Sequence, residues 1–126
     1  MCDMCDDPSL TTADLRGRLA AMIASRGWAI QFVEGEGHHP SLAYTIGLTD
    51  FGLPELTANG LTMEHARQLN QVAQDCVDGL SRAGSSVEVG GRLFRLVALD
   101  DTQEMLGALG FYGSRLRALR LRPMRR

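Results

Sequence analysis

The chain has 126 residues, 44% of them hydrophobic and 22% charged, with a formal net charge of −2. Such values suit one globular domain that buries roughly two-thirds of its unfolded surface, and they exclude a collagenous, low-complexity or wholly disordered chain. No apolar run approaches the roughly 20 residues of a membrane helix, and the acidic start lacks the basic-then-apolar order of a secretory signal, so the expectation is a cytoplasmic protein with no membrane contact.

The chain opens on Cys2-Asp3-Met4-Cys5-Asp6. Its cysteines number three, with two inside the first five residues, which is unlike a secreted disulfide framework. Asp7-Pro8-Ser9 reads as a turn, and Thr11 or Thr12 caps a helix running through Arg26. Leu15, Leu19, Met22 and Ile23 recur there at helical spacing, and Gly27 is the stop. Trp28 to Val33 is dense in aromatic and β-branched residues and reads as a strand. The Gly- and Pro-punctuated loop 35–40 joins it to a second strand, Leu42 to Leu48, in an antiparallel hairpin. Trp28 and Tyr44 are placed to pack together across it, and alternation sends one of Tyr44 and Thr45 to the core.

Phe51 to Pro54 forms a turn and Glu55 to Ala58 a short third strand. Thr62 caps a helix to about Leu80, with Met63, Ala66, Leu69, Val72, Ala73, Cys76, Val77 and Leu80 as its apolar stripe. Ser86 to Val89, Gly90-Gly91 and Arg92 to Leu99 make a hairpin with a two-glycine turn. A short helix over Thr102 to Leu109 follows, and Leu116 to Leu121 alternates Leu/Ala with Arg. The sum is an α+β domain over residues 1–121, a mainly antiparallel sheet with two principal helices packed on one face, followed by an Arg-rich tail at 122–126.

Chemistry-bearing residues are few. Cys2 and Cys5, at C-x-x-C spacing, can both reach one ion, and zinc normally takes four such ligands. His38 and His39 in the Gly-rich loop, Asp3, Asp6, His65 and Cys76 are the further ligands on offer; adjacent histidines in an extended loop point to opposite sides, so at most one of His38 and His39 joins the cysteines, and Tyr44 is a candidate pocket residue. A redox role for the thiols is disfavoured, because Asp3, Asp6 and Asp7 oppose thiolate formation. Cys76, on the apolar stripe, is expected to be a small buried hydrophobe, and His65 a solvated residue. No P-loop, H-E-x-x-H or G-x-S-x-G motif is present. Arg115, Arg117, Arg120, Arg122, Arg125 and Arg126 offer phosphate contacts, but few aromatics accompany them and the whole chain is acidic.

Taken together, Cys2-Asp3-Met4-Cys5-Asp6, Gly27-Trp28, Ala43-Tyr44-Thr45-Ile46-Gly47-Leu48 and Pro54-Glu55-Leu56 resemble a bacterial family, domain of unknown function 4262, in order and spacing from Cys2 to about Leu121. The resemblance implies that Cys2, Cys5, Tyr44 and Gly47 belong to a shared pattern, and it carries over no catalytic residue. The expectation is therefore a small accessory or regulatory domain that binds a protein partner, stabilised by zinc at its N-terminal cysteines. A metal-dependent enzyme using Cys2, Cys5 and His38 or His39 is the alternative, and nucleic-acid binding through the C-terminal arginines is a third.

Overall fold

A computed structural model describes residues 12–38 and 40–124, with the backbone alone at residues 12, 13, 15 and 16. Helix α1 spans Thr12–Arg26 and stops where Gly27, at φ 95°, returns its N–H to the Ile23 carbonyl at 2.7 Å. Strands β1 (Ala29–Val33), β2 (Leu42–Ile46) and β3 (Glu55–Asn59) then form an antiparallel meander. A short 3-10 turn over Leu48–Phe51 links β2 to β3. Helix α2 (Ala66–Val77), preceded by a 3-10 turn at Met63–His65, carries the chain across to β4 (Ser86–Val89). Strand β5 (Arg92–Leu99), helix α3 (Leu106–Tyr112) and β6 (Ala118–Pro123) complete it.

The six strands lie in the order β1-β2-β3-β6-β5-β4. The sheet is thus two three-stranded meanders joined at one parallel seam, where Glu55 lies beside Ala118 and Thr57 beside Arg120. Every other pairing is antiparallel, so the sheet is mainly antiparallel but mixed. The seam follows from α2. A crossover helix after β3 delivers the second meander to the far edge, and β6 returns to lie alongside β3.

Two apolar clusters lie on opposite faces of this sheet. On one, Leu69, Val72, Ala73 and Cys76 of α2 meet Ala43, Leu56, Ala58, Phe94, Leu96, Leu119 and Leu121. On the other, Leu19 and Ile23 of α1 and Ala108 and Tyr112 of α3 meet Leu42, Tyr44, Ile46 and Ala118. The expected placement of helices on one face is therefore corrected: they cover both. The physical reason is visible in β2, which is buried at every position. A strand covered on both sides reads as a continuous apolar run and carries no alternation from which a face could be assigned. For the same reason Tyr44 and Thr45 are both buried.

Local punctuation explains the remaining boundaries. The long helix ends at Val77 because Gly79, at φ 76°, breaks it, leaving Leu80 exposed beyond the stripe. Helix α3 starts four residues later than expected. Asp101 accepts the Gln103 N–H at 2.9 Å and Met105 donates to the Thr102 carbonyl, so these residues form a turn instead. Strand β6 continues through Arg122 to Pro123, and a boundary at residue 122 falls inside it. Among the described residues no helix is long and apolar enough to cross a membrane.

Candidate functional site

The β2–β3 connection is built around a buried carboxylate. Gly47 sits at φ 131°, and a Cβ there would lie 2.6 Å from the Gly27 carbonyl oxygen and 2.7 Å from the Trp28 Cα. Only glycine lets the chain pass that close and then curl into the turn. Glu55, fully buried at the start of β3, reaches back into that turn. Its Oε1 accepts from the Thr45 hydroxyl at 2.8 Å and the Leu48 N–H at 3.1 Å. Its Oε2 accepts from the Thr49 N–H at 2.7 Å, the Gly47 N–H at 3.3 Å and the Thr49 hydroxyl. Thr45 Oγ1 in turn accepts the Leu56 N–H at 2.8 Å. Every lone-pair direction of the carboxylate is occupied, so Glu55 pins the turn and has no site left to accept a substrate proton.

Beside this pin sits a polar and aromatic rim. Tyr112 donates its hydroxyl to Asp50 Oδ2 at 3.0 Å, and the Arg115 guanidinium lies 5.6 Å from the Tyr112 ring centroid. Burial first, then the hydrogen bond and charge of Asp50 and the charge of Glu55, push the Tyr112 phenol upward, against a smaller opposing pull from Arg115. It is a fixed donor near neutral pH. Arg117 donates to the Gly52 carbonyl at 3.3 Å. Phe51 meets Trp28 edge to face at 6.1 Å, and Trp28 Nε1 donates to Asn70 Oδ1 at 3.0 Å. Trp28 therefore packs on the α2 face while Tyr44 packs on the other, which corrects the expected Trp28–Tyr44 pair.

Tyr44 is an internal strut. Its hydroxyl accepts the Gly107 N–H at 2.9 Å, and a Cβ at Gly107 would come within 2.8 Å of that oxygen. Burial pushes its phenol up, opposed by the bond from Gly107.

The outer meander, β6-β5-β4, carries an open polar surface. On β6, Arg120 and Arg122 alternate with the buried Leu119 and Leu121, so they project away from the α2 core. On β5, Arg95 alternates with buried Phe94 and Leu96 and projects the same way. Arg95 and Arg122 are direct cross-strand partners, both exposed. Arg120 donates to Asn59 Oδ1 and lies 3.9 Å from Glu104. Neither Arg95 nor Arg122 has a carboxylate within 4 Å among the described residues. Arg122 lines a cleft of about 420 Å³ formed by strand residues alone, among them Asn59, Val97, Leu99 and Arg120, and Arg95 stands opposite Arg122 just outside that lining.

Cys2, Asp3, Cys5, Asp6 and His39 lie outside the described residues. His38 is exposed in the β1–β2 loop. Among the described residues no group of three or more His, Cys, Asp or Glu side chains could hold a metal ion. Cys76 is buried, and burial, then the Asp75 charge, raises its thiol. His65 is only part-exposed and caps α2's leading turn, its Nδ1 accepting the Thr62 N–H at 3.1 Å. Arg125 and Arg126 lie outside the described residues, and Arg115, Arg117, Arg120 and Arg122 are dispersed over Tyr112, Gly52 and the open sheet face.

The architecture defines a class: a small α+β domain with a mixed six-stranded sheet, helices on both faces and a carboxylate-pinned β2–β3 turn. Within that class the chain belongs to the family described as Domain of unknown function (DUF4262), whose model matches residues 22–122. The matched stretch contains the Tyr44 to Leu48 and Pro54 to Leu56 segments and leaves Cys2 and Cys5 outside it. No curated protein and no solved structure matches the chain.

Proposed function

We propose that the protein is a small accessory domain that docks a negatively charged protein partner on the open face of β5 and β6. The observation that supports this reading is the cross-strand pair Arg95–Arg122, two exposed like charges held opposite one another beside a cleft. Like charges directly opposite on a sheet oppose folding, and no carboxylate within 4 Å among the described residues offsets them. Arginine is also the cation enriched at protein interfaces, where its planar fork binds carboxylates through two parallel bonds. Serine 86 lies opposite Arg95 on β4, and Glu88 shares that face two residues on. The face is cationic overall, with Glu88 and Glu104 at its margins.

The test is binding of a fluorescent peptide carrying one glutamate between apolar residues, by anisotropy at two salt concentrations. The expected result is binding that weakens with salt and is lost in the Arg95→Ala/Arg122→Ala variant. Equal binding by the parent and the double variant, or none by either, would overturn the reading. A zinc site at Cys2 and Cys5, completed by His38 or His39, is compatible with this role and would stabilise the N-terminal segment.

A further inference from the structure

Resting on that docking reading, we infer that the group seated between Arg95 and Arg122 is a phosphorylated side chain of the partner. The three arginines of this face are not equivalent. Arg120 is already engaged by Asn59 and Glu104, which leaves Arg95 and Arg122 as the two guanidinium groups open to a ligand. Directly opposed strand residues hold their Cβ atoms about 4.5–5.5 Å apart, so two long arginine side chains converge on one group rather than on two.

Charge then selects the group. A single carboxylate neutralises one guanidinium and leaves the second facing it. A phosphate monoester carries about −1.5 to −2 charges near neutral pH and three acceptor oxygens, enough for a fork from each arginine. The neighbouring surface suits a phosphorylated segment of chain. Val97 and Leu99 line the cleft with apolar carbon, and exposed Leu93 extends it on the far side of Arg95. Backbone and side chains flanking the phosphorylated residue would lie on that strip. Glu88 and Glu104, at the margins, repel further negative charge and favour one isolated dianion over a long polyanion.

The experiment uses the full chain and four probes at one salt concentration: a phosphoserine peptide with apolar flanks, its serine and glutamate forms, and a single-stranded oligonucleotide. The phosphopeptide is expected to bind roughly tenfold or more tighter than the glutamate form, the scale of one charged hydrogen bond. Its affinity should rise between pH 5 and 7.5, as the phosphate loses its second proton near pH 6. Arg95→Ala or Arg122→Ala should each remove that advantage, whereas Arg67→Ala, on exposed helix α2, should not. Equal binding of phosphoserine and glutamate peptides would overturn the phosphate inference and leave the docking reading standing. No binding of either peptide would overturn both. Tighter binding of the oligonucleotide, or a dimer dissolved by Arg122→Glu, would also overturn the inference, by assigning the face to nucleic acid or to a second copy.

Discussion

Replacing Glu55 by Gln is the sharpest probe of how this fold holds its β2–β3 turn. The substitution keeps size and shape but turns one acceptor oxygen into a donor. If the new amide nitrogen takes the Oε1 position, it faces the Leu48 N–H and the Thr45 hydroxyl. If it takes the Oε2 position, it faces the Gly47 and Thr49 N–H groups and the Thr49 hydroxyl. Either way at least one buried backbone donor loses its partner, and the remaining bonds lose their charge. A hydrogen bond to a charged group contributes about 1.5–3 kcal/mol and an orphaned buried donor costs about 1–3 kcal/mol. The sum is a loss of about 2.5–6 kcal/mol, a large part of the about 5–15 kcal/mol that holds a typical domain folded.

The assay is urea unfolding followed by the fluorescence of Trp28, the single tryptophan, which packs on Phe51 of the pinned turn. With a slope of about 1–3 kcal/mol per molar urea, the midpoint should fall by roughly 2 M. Thr49→Val supplies the contrast. It removes one hydroxyl bond to Glu55 and leaves the Thr49 and Gly47 N–H bonds to Oε2 intact, so its expected cost is about 1.5 kcal/mol, the low end for a bond to a charged group. If Glu55→Gln is no more disruptive than Thr49→Val, the carboxylate is not the pin described above.

Gly47→Ala should cost about 3 kcal/mol or more, because its Cβ would overlap the Gly27 and Trp28 backbone at a φ that favours glycine, and a thermal midpoint like the parent's would refute this. Both tyrosines, Tyr44 and Tyr112, have phenols raised above their ordinary value of 10.0. Their contribution is complete below about pH 10; above it the unfolded chain releases phenolic protons that the folded chain retains, so stability falls as pH rises. Tyrosinate absorbance should therefore appear only as the chain unfolds, and a native ionisation near pH 10 would contradict the burial argument. Arg122→Glu should raise stability by about 0.2–1 kcal/mol, since it converts a like-charge pair with Arg95 into an attractive one, while abolishing peptide binding; loss of stability would count against the cross-strand account. Protein purified without a His-tag should carry zinc that falls on Cys2→Ser/Cys5→Ser, and substoichiometric metal unchanged by that variant would end the metal reading.

How much of this was legible depended on whether a feature was local. The β4–β5 hairpin is as expected, because Gly90 and Gly91 at φ 62° and 75° are what a tight two-residue turn requires, and Val89 pairs directly with Arg92. The α2 stripe, with Leu69, Val72, Ala73 and Cys76 buried, follows from its period. From the sequence Glu55 is the start of a strand and part of the Pro54-Glu55-Leu56 segment of the family resemblance, but its role as a pin is not legible there, because its partners Thr45, Leu48 and Thr49 are brought to it by a turn whose path depends on Gly47. The available signal was the clustering of Thr45, Thr49 and Glu55, polar residues in and on either side of the connection between two largely apolar strands. The pairing of Arg95 with Arg122 was likewise out of reach: each strand shows its own alternation, but which residues stand opposite is set by register across 26 intervening positions.

The parallel seam links these features. Because β3 and β6 run side by side from Glu55 and Ala118, the pinned turn and the start of β6 lie at the same end of the sheet, close to α3. Helices α1 and α3 cover Leu42, Tyr44 and Ile46 and reach only as far as Leu99 and Ala118 on the outer meander. Beyond that point the same β6 residues that complete the α2 core, Leu119 and Leu121, alternate with Arg120 and Arg122. One face of the strand closes the fold and the other carries an unneutralised charge pair. A sequence under selection for stability alone would relieve that pair with a single acidic substitution. Its presence beside an open cleft is what a binding surface would retain at the expense of stability.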